Sequence, residues 1–274
     1  MIIDNKKIQD SLAYTPGKGE VQEILAKSKN LQRLSMQDVA VLLNTSDNDD
    51  IREILKTANQ IKNEIYGNRL VIFAPLYISN LCKNDCAYCA FRISNKDVKR
   101  KALNQEEILK ETEALLQTGQ KRVLLVTGES YPKDGLDYVL KSIDTVYSAR
   151  DGKNNIRRLN VNIAPLEVEE FKRLKDRDIG TYQLFQETYH KESYADFHPK
   201  GPKSDYNYRL TAIDRAFEAG IDDVGLGVLF GLYDYKYEVL AMLSHIEHLE
   251  KNFGMGPHTL SVPRLEPATG SDIA

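Results

Sequence analysis

Only three of the 274 residues are cysteine, and none of them lies before residue 82 or after residue 89. An odd count excludes a closed disulfide framework, and a chain of this length does not need such staples to hold a core. An excess of one charge is missing too. Thirty-seven basic residues against 40 acidic ones leave a formal net charge of -3, which asks for no nucleic acid as a partner. There is no run of eighteen apolar residues, and the stretch from Met1 to Tyr14 holds no signal-peptide core. No membrane association is expected, and the expected location is cytoplasmic, where thiols stay reduced. Internal repeats and low-complexity tracts are also absent.

What is present is a 42% apolar chain with enough material for one large domain or two small ones. Residues 1–69 read as a helical N-terminal extension. Ile51, Ile54, Leu55, Ala58, Ile61 and Ile65 recur at helical intervals and share one face. Ser35 followed by Asp38 marks a helix start. From Leu70 the rhythm becomes strand, helix, strand. Strands are expected at 70–78, 123–126, 159–163, 181–185, 224–229 and 258–262. Asn104 with Glu107 has the form of a capping box, and Gly119 stands where that helix should stop. A long polar connection separates the fourth strand from the helix of Ile213, Ala216 and Phe217. Such alternation implies an α/β fold with a parallel sheet, in which functional groups gather at the C-terminal ends of strands. Only six strands are countable, and an open sheet of this kind would expose an edge after the sixth.

The cysteines stand as C-x3-C-x2-C in the stretch LCKNDCAYCAF. Structural zinc sites close with four ligands, and no histidine lies near enough in sequence to be the fourth. Iron in a cubane cluster is held by thiolates, and three of them leave one iron free to bind another molecule. The motif, with aromatic Tyr88 before the last cysteine, is similar to that of the radical S-adenosylmethionine (SAM) enzymes. The stretches PLYISNLCKNDCAYCAF, RRLNVNIAP, FQETYHKESYADFHPKGPKSDYNYR, GIDDVGLGVLFGLYDYKYEVLAML and GPHTLSVPRLEPATG extend the likeness. On these residues the chain is identified as a member of the tyrosine lyase family of radical SAM enzymes. HPKGPKSDYNYR and FGLYDYKYEVLAML favour its hydrogenase-maturation branch, whereas VTGES is nearer to the 2-iminoacetate synthase branch of thiamine thiazole biosynthesis.

The resemblance implies a TIM-barrel-type radical SAM core over residues 70–274, incomplete at about six of eight βα units. It implies a [4Fe–4S] cluster on Cys82, Cys86 and Cys89, with SAM on the fourth iron. The implied reaction cleaves the Cα–Cβ bond of L-tyrosine through a 5′-deoxyadenosyl radical, giving p-cresol and dehydroglycine (2-iminoacetate). In the hydrogenase-maturation branch dehydroglycine then yields carbon monoxide and cyanide on a second cluster. No cysteine follows Cys89 to hold such a cluster here, so the expectation is a partial enzyme. The alternatives are the 2-iminoacetate synthase reaction or a cluster-binding remnant without turnover. A reductant such as flavodoxin or ferredoxin and hydrogenase maturation proteins are the implied partners.

Site residues follow from the same likeness. Gly128 and Glu129 end the second strand, where an acidic residue meets the SAM ammonium in a poorly solvated cleft. Tyr88 is the candidate adenine contact. Asn162, Gln186 and Glu187 end the third and fourth strands, and amides there present donor and acceptor to a ribose or substrate. Arg209 offers its planar fork to the SAM carboxylate, and Arg264 is the candidate for the tyrosine carboxylate. His190 and His198 are assigned no role. The basic run from Lys96 to Lys101 is either a docking face for an electron donor or a solvated connector.

Overall fold

A computed structural model describes residues 2–271 and 273. The chain divides into two compact units, residues 1–71 with 233–252 and residues 72–232 with 253–274. Among the described residues no helix is long and apolar enough to cross a membrane.

The first unit is helical. It contains α1 (Asn5–Leu12), α2 (Glu20–Lys29), α3 (Met36–Asn44), α4 (Asn48–Tyr66) and most of α11 (Tyr235–Phe253). The helix start expected at Ser35 is present, and it is a capping box: the Ser35 hydroxyl accepts from Asp38 N–H while the Asp38 carboxylate accepts from Ser35 N–H. Val21, Ile24, Leu25 and Val41 make a small core, with Leu34, Leu42 and Ile54 packed against it. The apolar face of α4 is only partly used. Ile54 reaches that core, but Ile51, Leu55 and Ile65 remain exposed.

The second unit carries a six-stranded, all-parallel sheet in the order β1-β2-β3-β4-β5-β6. The strands are β1 (Ala74–Ser79), β2 (Arg122–Thr127), β3 (Arg158–Asn162), β4 (Tyr182–Glu187), β5 (Val224–Val228) and β6 (Thr259–Ser261). Sequential parallel strands joined by helices are the open form of the expected barrel. Between them run α5 (Gln105–Gln117), α6 (Leu136–Ser148), α7 (Val168–Lys175), α8 (Lys191–Phe197), α9 (Tyr206–Leu210) and α10 (Ala212–Glu218). Leu76, Ile78, Val123, Leu125, Leu159, Val161, Tyr182 and Leu184 are buried at alternate positions, the signature of one sheet face covered by helices, and β5 is buried at all five positions. Ile108, Leu116, Val139, Ile143, Phe171, Leu174 and Ile213 supply the buried apolar positions of those helices. Each such side chain removed from water stabilises the fold by about 1.5–3 kcal/mol. Asn104 and Glu107 cap α5 reciprocally, as their spacing predicts.

The first strand is shorter than its apolar run suggests. Pairing with β2 begins at Ala74, and Leu70 to Phe73 are an exposed lead-in. β-branched and aromatic residues fit a strand, but without a ladder partner they do not make one. β6 is a short edge strand, and Leu260 beside Val262 is about half exposed there. The polar connection after β4 also contains two short helices, α8 and α9. Capping side chains start both. His190 Nδ1 accepts from Ser193 N–H, and Asp205 accepts from Tyr208 N–H.

Candidate active site

The cysteine loop leaves the end of β1 and is tied down from three directions. Arg100 donates to the carbonyls of Asn80, Phe91, Arg92 and Asn95, so this member of the basic run is an internal clamp. Residues 197–203 press on the loop from another side. Asp85 N–H donates to Lys200 O at 3.1 Å, Ala87 N–H to Phe197 O at 2.9 Å, and Lys203 N–H to Asn84 Oδ1 at 2.8 Å. Gly201 makes that approach possible. Its φ is +94°, and a Cβ there would come within 2.6 Å of Asn84 Oδ1 and Lys83 O. The segment after β6 closes the third side, where Asn95 Nδ2 donates to Thr269 O and Ser271 Oγ to Ala87 O.

Gly128 performs a similar service at the end of β2. Its N–H donates to Ser79 O, and a Cβ would overlap the Leu81 carbonyl at the start of the cysteine loop. The next residue, Glu129, is thereby brought under the loop, where Asn84 Nδ2 donates to its Oε2 at 2.8 Å.

Glu129 belongs to a group of four charges largely withdrawn from solvent, with side chains 4% to 15% exposed. Arg209 donates from Nη1 to Glu129 Oε1 at 2.8 Å and from Nε to Phe185 O at 2.7 Å. Lys203 Nζ donates to Glu187 Oε1 at 2.6 Å and lies 3.9 Å from Glu129 Oε1. Arg209 Nη2 is 3.7 Å from Glu187 Oε1. Two carboxylates and two cations therefore alternate, and each anion has both cations within reach. The backbone is bent to build this arrangement. Glu187 has φ +70°, rare for a residue with a side chain, and follows a bulge at Phe185/Glu187 that breaks the register with β5.

Electrostatics follow from the alternation. Burial opposes ionisation of Glu129, but Arg209, then Lys203, and the hydrogen bonds from Arg209 and Asn84 bring its pKa down to about 2. Glu187 is lowered against the same penalty by Lys203 and Arg209. Lys203 is raised in spite of burial and the nearby Arg209, because both carboxylates face it.

Tyr88 projects from the cysteine loop beneath Lys203, whose Nζ is 5.9 Å from the ring centroid, a cation–π distance. Its hydroxyl meets His198 Nε2 at 2.9 Å. Burial is the main reason that Tyr88 titrates well above a free phenol, and Glu187 adds to it.

The three thiols are free, with Cys86 buried and Cys82 and Cys89 half-buried. Burial pushes the Cys86 thiol up to about 12, opposed by Lys203, and also raises Cys89, opposed by the Phe91 N–H and Lys203. Buried thiols resist ionisation in the absence of a cation, and bound iron supplies one. Among the described residues no three His, Cys, Asp or Glu side chains converge on a point as a single metal ion requires. Thiolates of a cubane cluster each take a different iron, so three thiols spaced along one clamped loop fit that group.

The structure thus joins Glu129, Glu187 and Arg209 in one group beside Tyr88 and the cysteine loop. The other sequence candidates stand outside that hydrogen-bonded group. Asn162 is half-buried at the end of β3, in register with Gln183. Gln186 is buried, and its Nε2 has no hydrogen-bond partner among the described residues. Arg264 has an exposed side chain, and its backbone bridges Phe230 in parallel. Asn84, His198 and Lys203 are the site residues that sequence reasoning passed over. The only available signal was their place inside the quoted motifs.

Comparison with known proteins identifies the family. A profile of the radical SAM superfamily matches residues 76–246. The 2-iminoacetate synthase of Salmonella typhimurium is 35% identical over 253 residues, covering 92% of this chain and 65% of the relative. The crystal structure of HydG, a maturase of the [FeFe]-hydrogenase, superposes with a TM-score of 0.96 at 52% identity, covering 99% of this chain and 60% of that one. HydG from Carboxydothermus hydrogenoformans gives a TM-score of 0.86 at 45% identity, covering 94% of this chain and 59% of its own. The chain therefore spans less than two thirds of the length of these relatives. The superfamily match takes in more than half of the chain and contains the three thiols and the four buried charges; the chain belongs to the radical SAM superfamily, whose members work with a [4Fe–4S] cluster and SAM.

Proposed function

We propose that this chain carries the tyrosine-cleaving core of a radical SAM lyase of the hydrogenase-maturation type. The observation that carries the reading is the 52% identity to HydG across 99% of the chain. The Salmonella 2-iminoacetate synthase is 35% identical over 92%. The proposed reaction breaks the Cα–Cβ bond of L-tyrosine to give p-cresol and dehydroglycine. In the maturation branch this is the first step toward carbon monoxide and cyanide for the hydrogenase cluster.

Cys82, Cys86 and Cys89 would hold the [4Fe–4S] cluster. Glu129 would take the ammonium group of SAM, Arg209 its carboxylate, and Tyr88 would lie against its adenine. Bound there, cluster and SAM would supply one-electron radical chemistry. The chain's own residues provide binding, orientation and exclusion of water. The alternating buried charges hold two carboxylates ionised and fixed, so that a ligand ammonium meets a formed site. Arg264 is proposed to receive the carboxylate of tyrosine. A flavodoxin or ferredoxin as reductant, hydrogenase maturation proteins as partners and a cytoplasmic location belong to the same proposal.

Anaerobic incubation of the reconstituted protein with SAM, dithionite and tyrosine tests the reaction. The expected outcome is p-cresol formed alongside 5′-deoxyadenosine. 5′-Deoxyadenosine without p-cresol would assign a different substrate. Gene deletion tests the branch. Loss of [FeFe]-hydrogenase activity is expected, and a thiamine requirement in its place would move the chain to thiazole synthesis.

A further inference from the structure

Lys203 has the surroundings of a ligand-facing group. Its side chain is only 9% exposed and is anchored at both ends, the backbone N–H on Asn84 Oδ1 and Nζ on Glu187 Oε1. One of the three ammonium hydrogens serves Glu187, which leaves two more. Lys203 borders a cavity of about 200 Å³ whose wall also includes Lys83, Glu129, Tyr131, Tyr208 and Arg209. Glu187, the counter-ion of Lys203, is not among the lining residues. Glu187 balances Lys203 from behind the wall and Glu129 balances Arg209, so the exposed Lys83 leaves one cation in excess, a polarity that suits an anionic group.

Arg209 is heavily committed for an anion receptor. Its Nε is on Phe185 O, its Nη1 is on Glu129, and its Nη2 lies 3.7 Å from Glu187. A carboxylate entering this cavity needs a second strong donor, and Lys203 is the buried cation beside Arg209 with hydrogens to give.

We propose that Lys203 contacts the ligand directly, joining Arg209 in receiving the methionyl carboxylate of SAM while Glu187 holds its ammonium in place. In this arrangement Glu129 takes the amino end and the Arg209–Lys203 pair the acid end, so the cavity selects an amino acid headgroup by both its charges. The inference rests on the assignment of this cavity to SAM and is independent of the identity of the second substrate.

The alternative is that Lys203 only neutralises Glu187, and a four-protein comparison separates the two. Reconstituted wild type, K203M, E187Q and K203M/E187Q are reduced and titrated with SAM, and the SAM-induced change in the electron paramagnetic resonance signal of the cluster is followed. Iron content verifies the site in each. A lost charge-assisted contact is expected to raise the half-saturating SAM concentration about tenfold or more, both in the wild-type background and in the E187Q background. K203R, which keeps the charge, should stay within about threefold of wild type. If the loss disappears in the E187Q background, Lys203 serves only its counter-ion and the proposal is overturned. Unchanged affinity in K203M overturns it as well. Absence of any SAM response in the wild type would overturn the cofactor assignment itself, and this inference with it.

Discussion

Tyr88 donates its phenolic hydrogen to Nε2 of His198 across 2.9 Å, and the direction of that bond is set by a third group. His198 Nδ1 lies 2.7 Å from the carbonyl oxygen of Tyr194, which can only accept. Nδ1 therefore carries the proton, and Nε2 of the neutral ring is left to accept. A residue of the cysteine loop is in this way oriented by a histidine 110 positions later. Burial, reinforced by the positive charge of Lys203, lowers the His198 pKa to about 4.

This histidine should leave a mark on the pH dependence of stability. Below its unfolded pKa near 6.5 the unfolded chain binds a proton that the folded site refuses. Stability from this residue is therefore complete above about pH 6.5 and is lost as pH falls toward 4. The full effect is about 3 kcal/mol at most. Thermal unfolding of the reconstituted protein between pH 4 and 7 should show this slope, and H198Q should lessen it, the buried His245, whose pKa is lowered to about 3, keeping a part. A slope left unchanged by the substitution would assign the titration elsewhere.

The pair formed by Glu129 and Arg209 should be the most sensitive to removal of one member. A buried charge stripped of its partner costs about 3–5 kcal/mol. R209M is expected to lower the unfolding midpoint strongly and to abolish the SAM-induced change in the cluster signal. E129Q is nearly isosteric and should keep more of the stability while weakening SAM binding about tenfold or more. The two readouts, unfolding midpoint and SAM titration, should therefore separate in E129Q and fall together in R209M.

Gly201 and Gly152 distinguish a steric requirement from a backbone one. Both have positive φ, +94° and +57°, but a Cβ meets nothing within 4 Å at Gly152 and crowds Asn84 and Lys83 at Gly201. G152A should cost about 1 kcal/mol from backbone strain alone. G201A should cost more, by about 1–3 kcal/mol for the added crowding, and should also lower iron retained after reconstitution. Equal effects of the two substitutions on iron content would show that the 197–203 segment does not brace the cysteine loop.

Local signals in the sequence carried far. The helix start at Ser35 and the capping box at Asn104 stand where their spacing places them, and β2 to β5 fall within two residues of the apolar runs that mark them. β1 was overextended, because Leu70 to Phe73 have strand-forming side chains and no ladder partner. The short helices α8 and α9 were hidden in a polar stretch, since both are started by caps and neither has a long apolar stripe. In the site, the cysteine spacing and the Gly128-Glu129 turn were legible because each is a contiguous motif. The Lys203–Glu187 and Tyr88–His198 contacts were not, because each depends on two segments meeting in space, and Asn84 gives no sign in one dimension that it faces Glu129.

The three thiols of the clamped loop are proposed to hold a cluster that works on SAM bound beside it. Substitution of Cys86, the buried member, tests this most directly. Wild type and C86A are reconstituted with iron and sulfide without oxygen, analysed for bound iron, and incubated with SAM and dithionite. Wild type should retain about four irons per chain and release 5′-deoxyadenosine, whereas C86A should lose most of the iron and release none. Iron content and 5′-deoxyadenosine formation unchanged in C86A would contradict the account.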